Sequence, residues 1–301
     1  MTKKHFCYLI LAIVISSCST NPYKTTEKAY DQQLKTLENQ ITSKESKSIP
    51  ALPLLAIDTS YPQQLGIVKD TLSKTGSTYL VNGINTEWVG TVNFNLRKPS
   101  FVIIHHTAQD SLQQTINTFT KTKTQVSAHY IISENGKVVQ MLNDYLRAWH
   151  AGNSTWGKTT DLNSCSIGIE LDNNGFKPFT EAQISSLVAL LTKLKKDYNI
   201  PTQNFLGHAD IAPGRKQDPS ALFPWKILAE KGFGIWPDEV LEPAPFDFKI
   251  EPALRIIGYN TKNLSAAIQA FKLHYIQTDA TSVLDRKTID TIYSIYKKQI
   301  Q

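Results

Sequence analysis

Two histidines, His105 and His106, stand directly behind the apolar run Phe101-Val102-Ile103-Ile104. Glu170 stands near the end of a second run, Ser166 to Leu171. His208 follows Phe205-Leu206-Gly207 and opens a loop that carries Asp210, Lys216 and Asp218. Imidazole and carboxylate groups gathered at strand ends are the donors of a catalytic zinc, which takes three protein ligands and leaves a fourth position to water. One histidine of the first pair, His208, and either Asp210 or Asp218 would supply such a set. Cysteine cannot: only Cys165 lies in the body of the chain, so neither a thiolate cage nor an internal disulfide is open to it. Cys165 reads as a small packed residue rather than a catalytic thiol.

The elements that must hold these groups alternate between strand and helix. Phe101–Ile104 is short and continuously apolar, as a buried central strand is. Ser111 and Gln114 form a capping-box pattern ahead of Leu112, Ile116 and Phe119 at helical spacing. Asn135-Gly136 between Tyr130–Ile132 and Val138–Met141 is a hairpin signal. In Ser166–Leu171 the alternation sets Glu170 and Gly168 opposite Ile167, Ile169 and Leu171. Thr180 and Gln183 form a second capping box before an amphipathic helix through Ile184, Leu187, Leu191 and Leu194. The expected fold is α/β, a central mixed sheet flanked by helices, over residues 51–240. A Pro-rich break at 236–245 then precedes a small all-α segment, 241–301, in which Ile289, Ile292, Tyr293 and Tyr296 share a helical face.

The N-terminus reads differently. Lys3-Lys4 precedes an apolar run from Phe6 to Ile15, and Ser16-Ser17-Cys18 follows. That run is shorter than the roughly 20 residues of a spanning helix and fits a secretory signal. It resembles a bacterial lipoprotein signal: 1–17 removed, Cys18 acylated, and the polar stretch 18–50 serving as a tether. Ser19 after Cys18 resembles signals sorted to the outer membrane, which implies its periplasmic face. The net charge of +6 is spread along the chain without a dense Lys/Arg cluster, which argues against nucleic-acid binding. A monomer is expected.

Five segments occur in order: Ile104-His105-His106-Thr107-Ala108, Ser127-Ala128-His129-Tyr130, His150-Ala151-Gly152, Ser166 to Leu171, and His208 to Pro219. Together they resemble the N-acetylmuramoyl-L-alanine amidases of the AmpD/AmiD type, zinc enzymes related to peptidoglycan-recognition proteins. The likeness runs from about Ser100 to Asp238. It implies His105, His208 and Asp218 as Zn²⁺ ligands, Glu170 as general base and Lys216 as the cation facing the oxyanion. It leaves His106 to packing or substrate contact, and Asp210 to orienting the loop. Trp149, His150 and His129 would line the groove for a peptidoglycan substrate. Leu254, Gly258-Tyr259, Ala270-Phe271, His274 and Asp285 more loosely resemble a helical peptidoglycan-binding module. The alternative is a recognition lipoprotein that binds the wall without cutting it.

Overall fold

Residues 98–301, with the backbone of 78–81 and 84–87, are described by the computed structural model. The expected signal segment at 1–17, the tether at 18–50 with Cys18, and most of the stretch up to Leu96 lie outside the described residues. Strands β1 (Thr78–Val81) and β2 (Ile84–Glu87) form a separate antiparallel pair. The main sheet contains β3 (Phe101–His106), β4 (Tyr130–Ile132), β5 (Val138–Gln140), β6 (Ser166–Leu171) and β7 (Phe205–Gly207). Their order is β5-β4-β6-β3-β7, with β5 antiparallel and the rest parallel. The α-helices among the described residues are α1 (Leu112–Phe119), α2 (Glu181–Tyr198), α3 (His208–Ile211), α4 (Trp225–Glu230), α5 (Ile250–Ile257), α6 (Leu264–Tyr275) and α7 (Arg286–Ile300). The α/β class and the helical C-terminal segment are as the sequence predicts.

Register decides what each face of the sheet carries. Phe101, Ile103 and His105 of β3 lie opposite Ser166, Gly168 and Glu170 of β6, and in-register neighbours share a face. Val102, Ile104, Ile167, Ile169 and Leu171 point the other way. There they meet Ile184, Leu187, Leu191 and Leu194 of α2 in one buried cluster. Ile103, Leu206 of β7 and Ile211 of α3 instead join Leu254, Ile257, Phe271, Ile292 and Ile295. The sheet is thus a middle layer, with α2 on one side and the C-terminal helices on the other.

Local chemistry sets the element ends, with two departures from expectation. Ser111 and Thr180 cap α1 and α2 by accepting from the backbone N–H groups of Gln114 and Gln183. The Gln183 side chain does not close a capping box, however. It is fully buried and donates to the carbonyls of Ile132 and Asp172, tying α2 to the sheet. Gly136 turns the β4–β5 hairpin at φ 82°, and a Cβ there would sit 2.8 Å from the Ala182 carbonyl oxygen. The buried face of α7 is rotated from the expected one: Thr288, Thr291, Ile292 and Ile295 face inward, while Tyr293 and Tyr296 are partly buried against Phe248. The loop before α5 covers those two rings, which a helical pattern alone does not register.

Because Ile103, Leu206 and Ile211 share a cluster with α5, α6 and α7, the C-terminal helices are part of the core behind the sheet. A chain ending at residue 240 is expected to lose the cooperative calorimetric transition of the full chain. Phe271→Ala alone should cost about 3–5 kcal/mol. A 240-residue chain that unfolds at the full chain's Tm would show instead that the two parts fold independently.

Candidate metal centre

The site forms where β3, β6 and β7 end, on the face that carries the C-terminal helices. His105 is the fifth residue of β3, and His208 follows β7 directly as the first residue of α3. Asp218 arrives from the loop beyond α3, held by a hydrogen bond from the Ala209 N–H to the Asp218 carbonyl (2.8 Å). Its Oδ2 lies 3.0 Å from Nδ1 of His105 and 3.0 Å from Nδ1 of His208, and the two imidazole nitrogens are 3.0 Å apart. Both histidines are buried. Of the described residues, His105, His208 and Asp218 form a group able to hold a metal ion, their donor atoms all within 4.8 Å of one another.

The protonation states suit that role. The Nε2 of His208 lies 3.2 Å from the Ala151 carbonyl, which can only accept; the proton sits on Nε2 and the Nδ1 lone pair turns inward. Burial, reinforced by His208, pushes His105 down to about 4, so its ring is neutral at pH 7. Burial alone would raise Asp218, but the two imidazoles beside it prevail and hold it well below the usual carboxylate range. Two imidazole nitrogens and a carboxylate directed at one point are the donor set that a divalent cation accepts.

Glu170 faces the same region from β6, directly across from His105. Burial pushes its carboxyl up to about 8, with Asp218 adding to the shift and Lys216 opposing it. Its Oε2 is buried without a hydrogen-bond partner among the described residues. Lys216, half-buried, joins Trp149, Arg147, His150, Arg215 and His208 around an adjoining cleft of about 370 Å³.

Residues 95–221 match the family described as N-acetylmuramoyl-L-alanine amidase. The chain is 43% identical over 153 residues to N-acetylmuramoyl-L-alanine amidase AmiD of Escherichia coli, covering 46% of this chain and 54% of that protein. It is 43% identical over 102 residues to 1,6-anhydro-N-acetylmuramyl-L-alanine amidase AmpD of Haemophilus influenzae, covering 34% and 55%. The chain spans about half the length of these curated relatives. The solved structure of AmiD from E. coli, in complex with anhydro-N-acetylmuramic acid-L-Ala-D-gamma-Glu-L-Lys, covers 75% of this chain and 98% of its own at 30% identity, with a TM-score of 0.61. The chain belongs to the N-acetylmuramoyl-L-alanine amidase family. AmpDh3 from Pseudomonas aeruginosa shares the fold at 27% identity over 70% of this chain and 96% of its own, with a TM-score of 0.61.

Within this amidase-family fold the remaining expected residues part ways. Trp149 is 42% exposed on the cleft rim, where a ligand can reach it. His129 is fully buried: Nδ1 accepts from the Gly168 N–H (3.0 Å) and Nε2 donates to the Leu146 carbonyl (2.9 Å). Both of its nitrogens are used, so it braces the sheet and has no atom left for a substrate. His150 is also buried, with Nδ1 3.1 Å from Nε2 of His105 and the ring wedged over Gly168. His106 accepts from the Ser220 N–H (3.1 Å) and so anchors the loop beyond Asp218. Asp210 accepts from the Gly207 N–H, the Tyr259 hydroxyl and Nδ1 of His274, at 2.7, 2.6 and 2.7 Å. Spacing alone could not find this last trio, because Tyr259 lies just beyond α5 and His274 lies in α6. The residues likened to a wall-binding module therefore do internal work, Asp285 included, which caps α7.

The raised Glu170 carboxyl gives a stability prediction for the metal-free protein. Its folded pKa of about 8 exceeds its unfolded value near 4.5, so the native state holds the extra proton between those pH values. Stability from this group is present below about pH 4.5 and is lost as pH rises through 8. Glu170→Gln should therefore stabilise the metal-free chain increasingly from pH 5 to pH 8, by an amount on the order of a few kcal/mol at the upper end. Thermal melts of both proteins across that range test it, and parallel pH profiles would contradict the buried, unpartnered state.

Proposed function

We propose that this chain is a zinc-dependent N-acetylmuramoyl-L-alanine amidase that hydrolyses the amide between N-acetylmuramic acid and L-alanine in peptidoglycan. The observation that carries the reading is the convergence of His105, His208 and Asp218 at one point beside the buried, unpartnered carboxylate of Glu170. The bond and the polymer come from the family and from the relatives' names. His105, His208 and Asp218 would hold the zinc, whose chemistry there is to polarise the scissile carbonyl and make water a usable nucleophile near neutral pH. Glu170 takes the proton of the attacking water on a carboxylate oxygen. It then delivers that proton to the leaving amine of L-alanine. A carboxylate made basic by burial suits both transfers, since its pKa lies near the working pH. Lys216, beside the same cleft, offsets the negative charge that grows on the carbonyl oxygen as the tetrahedral intermediate forms. Trp149 offers an exposed ring on the rim for the saccharide or stem peptide.

The sequence supports a wider setting for the reaction. A lipid on Cys18 would anchor the protein, with residues 18–50 as spacer, at the periplasmic face of the outer membrane within reach of the wall. Residues 51–240 would form the catalytic domain and 241–301 its helical partner.

The full chain incubated with purified sacculi should release stem peptides that begin with L-alanine. Chelation should abolish the release and Zn²⁺ restore it. Glu170→Ala and Lys216→Ala should each lower kcat by about 10²–10⁴-fold, the range of a lost general base or oxyanion partner. Zinc binding without any released peptide, from sacculi or from soluble muropeptides, would overturn the hydrolytic reading and favour wall recognition.

A further inference from the structure

His150, Ser166 and Gly168 are not accounted for by the proposed chemistry, yet they line up behind one of its ligands. His150 lines the cleft, as expected, and its ring is largely buried between His105 and Ser166. Its Nδ1 lies 3.1 Å from Nε2 of His105, and its Nε2 lies 3.2 Å from Oγ of Ser166. The Ser166 hydroxyl in turn donates to the Leu162 carbonyl. Both polar ends of this line are enclosed by protein, and Leu162 is fully buried.

The direction of the protons along the line follows from its last member. A backbone carbonyl can only accept, so the single proton of the Ser166 hydroxyl points to Leu162. Oγ is then left with lone pairs toward His150, which must carry its own proton on Nε2. Its Nδ1 is consequently an acceptor and takes the Nε2 proton of His105. The Nδ1 of His105 is left unprotonated, directed at Asp218 and His208. We propose that His150 and Ser166 are positioning residues that fix His105 in the tautomer and ring orientation needed to bind the metal. The inference rests on the metal-binding reading above.

The surroundings hold the relay still. The Asn163 side chain accepts from the backbone N–H groups of both His150 (3.0 Å) and Ala151 (2.8 Å). That places the His150 ring on one side and, on the other, the Ala151 carbonyl that accepts from His208. A single turn thus orients both histidine ligands. Gly168 leaves the room: a Cβ there would lie 2.4 Å from Cγ of His150. Ser166, Gly168 and Glu170 share one face of β6, so this face supplies in turn the relay's end, the space for its ring and the proposed base. Ligand histidines commonly donate their second N–H to a fixed acceptor, and loss of that acceptor costs about 10–100-fold in metal affinity.

Long-range ¹H–¹⁵N NMR of the imidazoles in the metal-free full chain reads the relay directly. His105 and His150 should both appear as Nε2–H tautomers, and an Nδ1–H tautomer at either ring overturns the proposal. Zinc affinity, measured by competition with a chromophoric chelator, reads its consequence. His150→Leu should weaken zinc binding by about 10–100-fold. His150→Asn, which places an amide oxygen where Nδ1 lies, should recover a clear part of that loss, and Ser166→Ala should fall between the two. Equal losses for the Leu and Asn variants would mean that His150 only fills space, and the proposal would fail. If the unmodified chain binds no zinc, the metal reading falls, while the tautomers of the metal-free protein still decide the relay.

Discussion

The site depends on the parallel pairing of β3 with β6 in a register that sets His105 against Glu170. Side chains alternate across a strand, so a slip of one residue would exchange the two faces. Glu170 would then enter the layer against α2, and Leu171 would face His105. What forbids the slip is the apolar set on the opposite face, where Val102, Ile104, Ile167, Ile169 and Leu171 are all fully buried. The burial that stabilises the domain and the alignment of Glu170 with His105 are therefore one constraint. Packing against α2 holds the chemistry in place from behind.

The two aspartates of the loop after β7 show how environment assigns roles to like groups. His208-Ala209-Asp210 spacing suits a chelate as well as the longer reach to Asp218 does. Asp210, however, already accepts from a backbone N–H, a phenol and an imidazole, two of them supplied by the C-terminal segment. Asp218 has its Oδ2 directed at His105 and His208. A carboxylate with its lone pairs occupied is a strut, and one facing two imidazoles is free to act as the proposed ligand. The C-terminal segment thereby bears on the loop that carries Asp218 through Asp210 as well as through the shared apolar cluster.

Sequence made the near-range features legible and left the long-range ones hidden. The strands, the amphipathic phase of α2 and the opposition of Glu170 to three aliphatics follow from periods of 2 and 3.6 residues, and the structure has them. A histidine after β3, His208 and an aspartate of the following loop were reachable because each sits at a strand end or just beyond one, while the choice of His105 over His106 and of Asp218 over Asp210 came from the family resemblance. The destinations of Gln183, His129 and His150 were not reachable. Each is polar and each is buried by making hydrogen bonds to groups far away in sequence, which no local pattern encodes. The face of α7 was misread for a related reason. Its tyrosines satisfy the helical pattern, but Phe248, outside the helix, covers them while Thr288 and Thr291 turn inward.

A balance of charge links these observations. On one face, the sheet ends gather the Asp218 carboxylate, the inward lone pair of His208 and the unpartnered oxygen of Glu170, while the cations Lys216 and Arg215 stand at the cleft. Buried acceptors without donors cost free energy, and Glu170 responds by holding a proton. A divalent cation among His105, His208 and Asp218 would satisfy the ligand set and stabilise the negative form of Glu170 by charge alone. Binding the metal and generating the base are then coupled, because the same positive charge serves both. The uneven supply of acceptors is costly to the metal-free fold, and it would favour a cation at the site and a proton on Glu170.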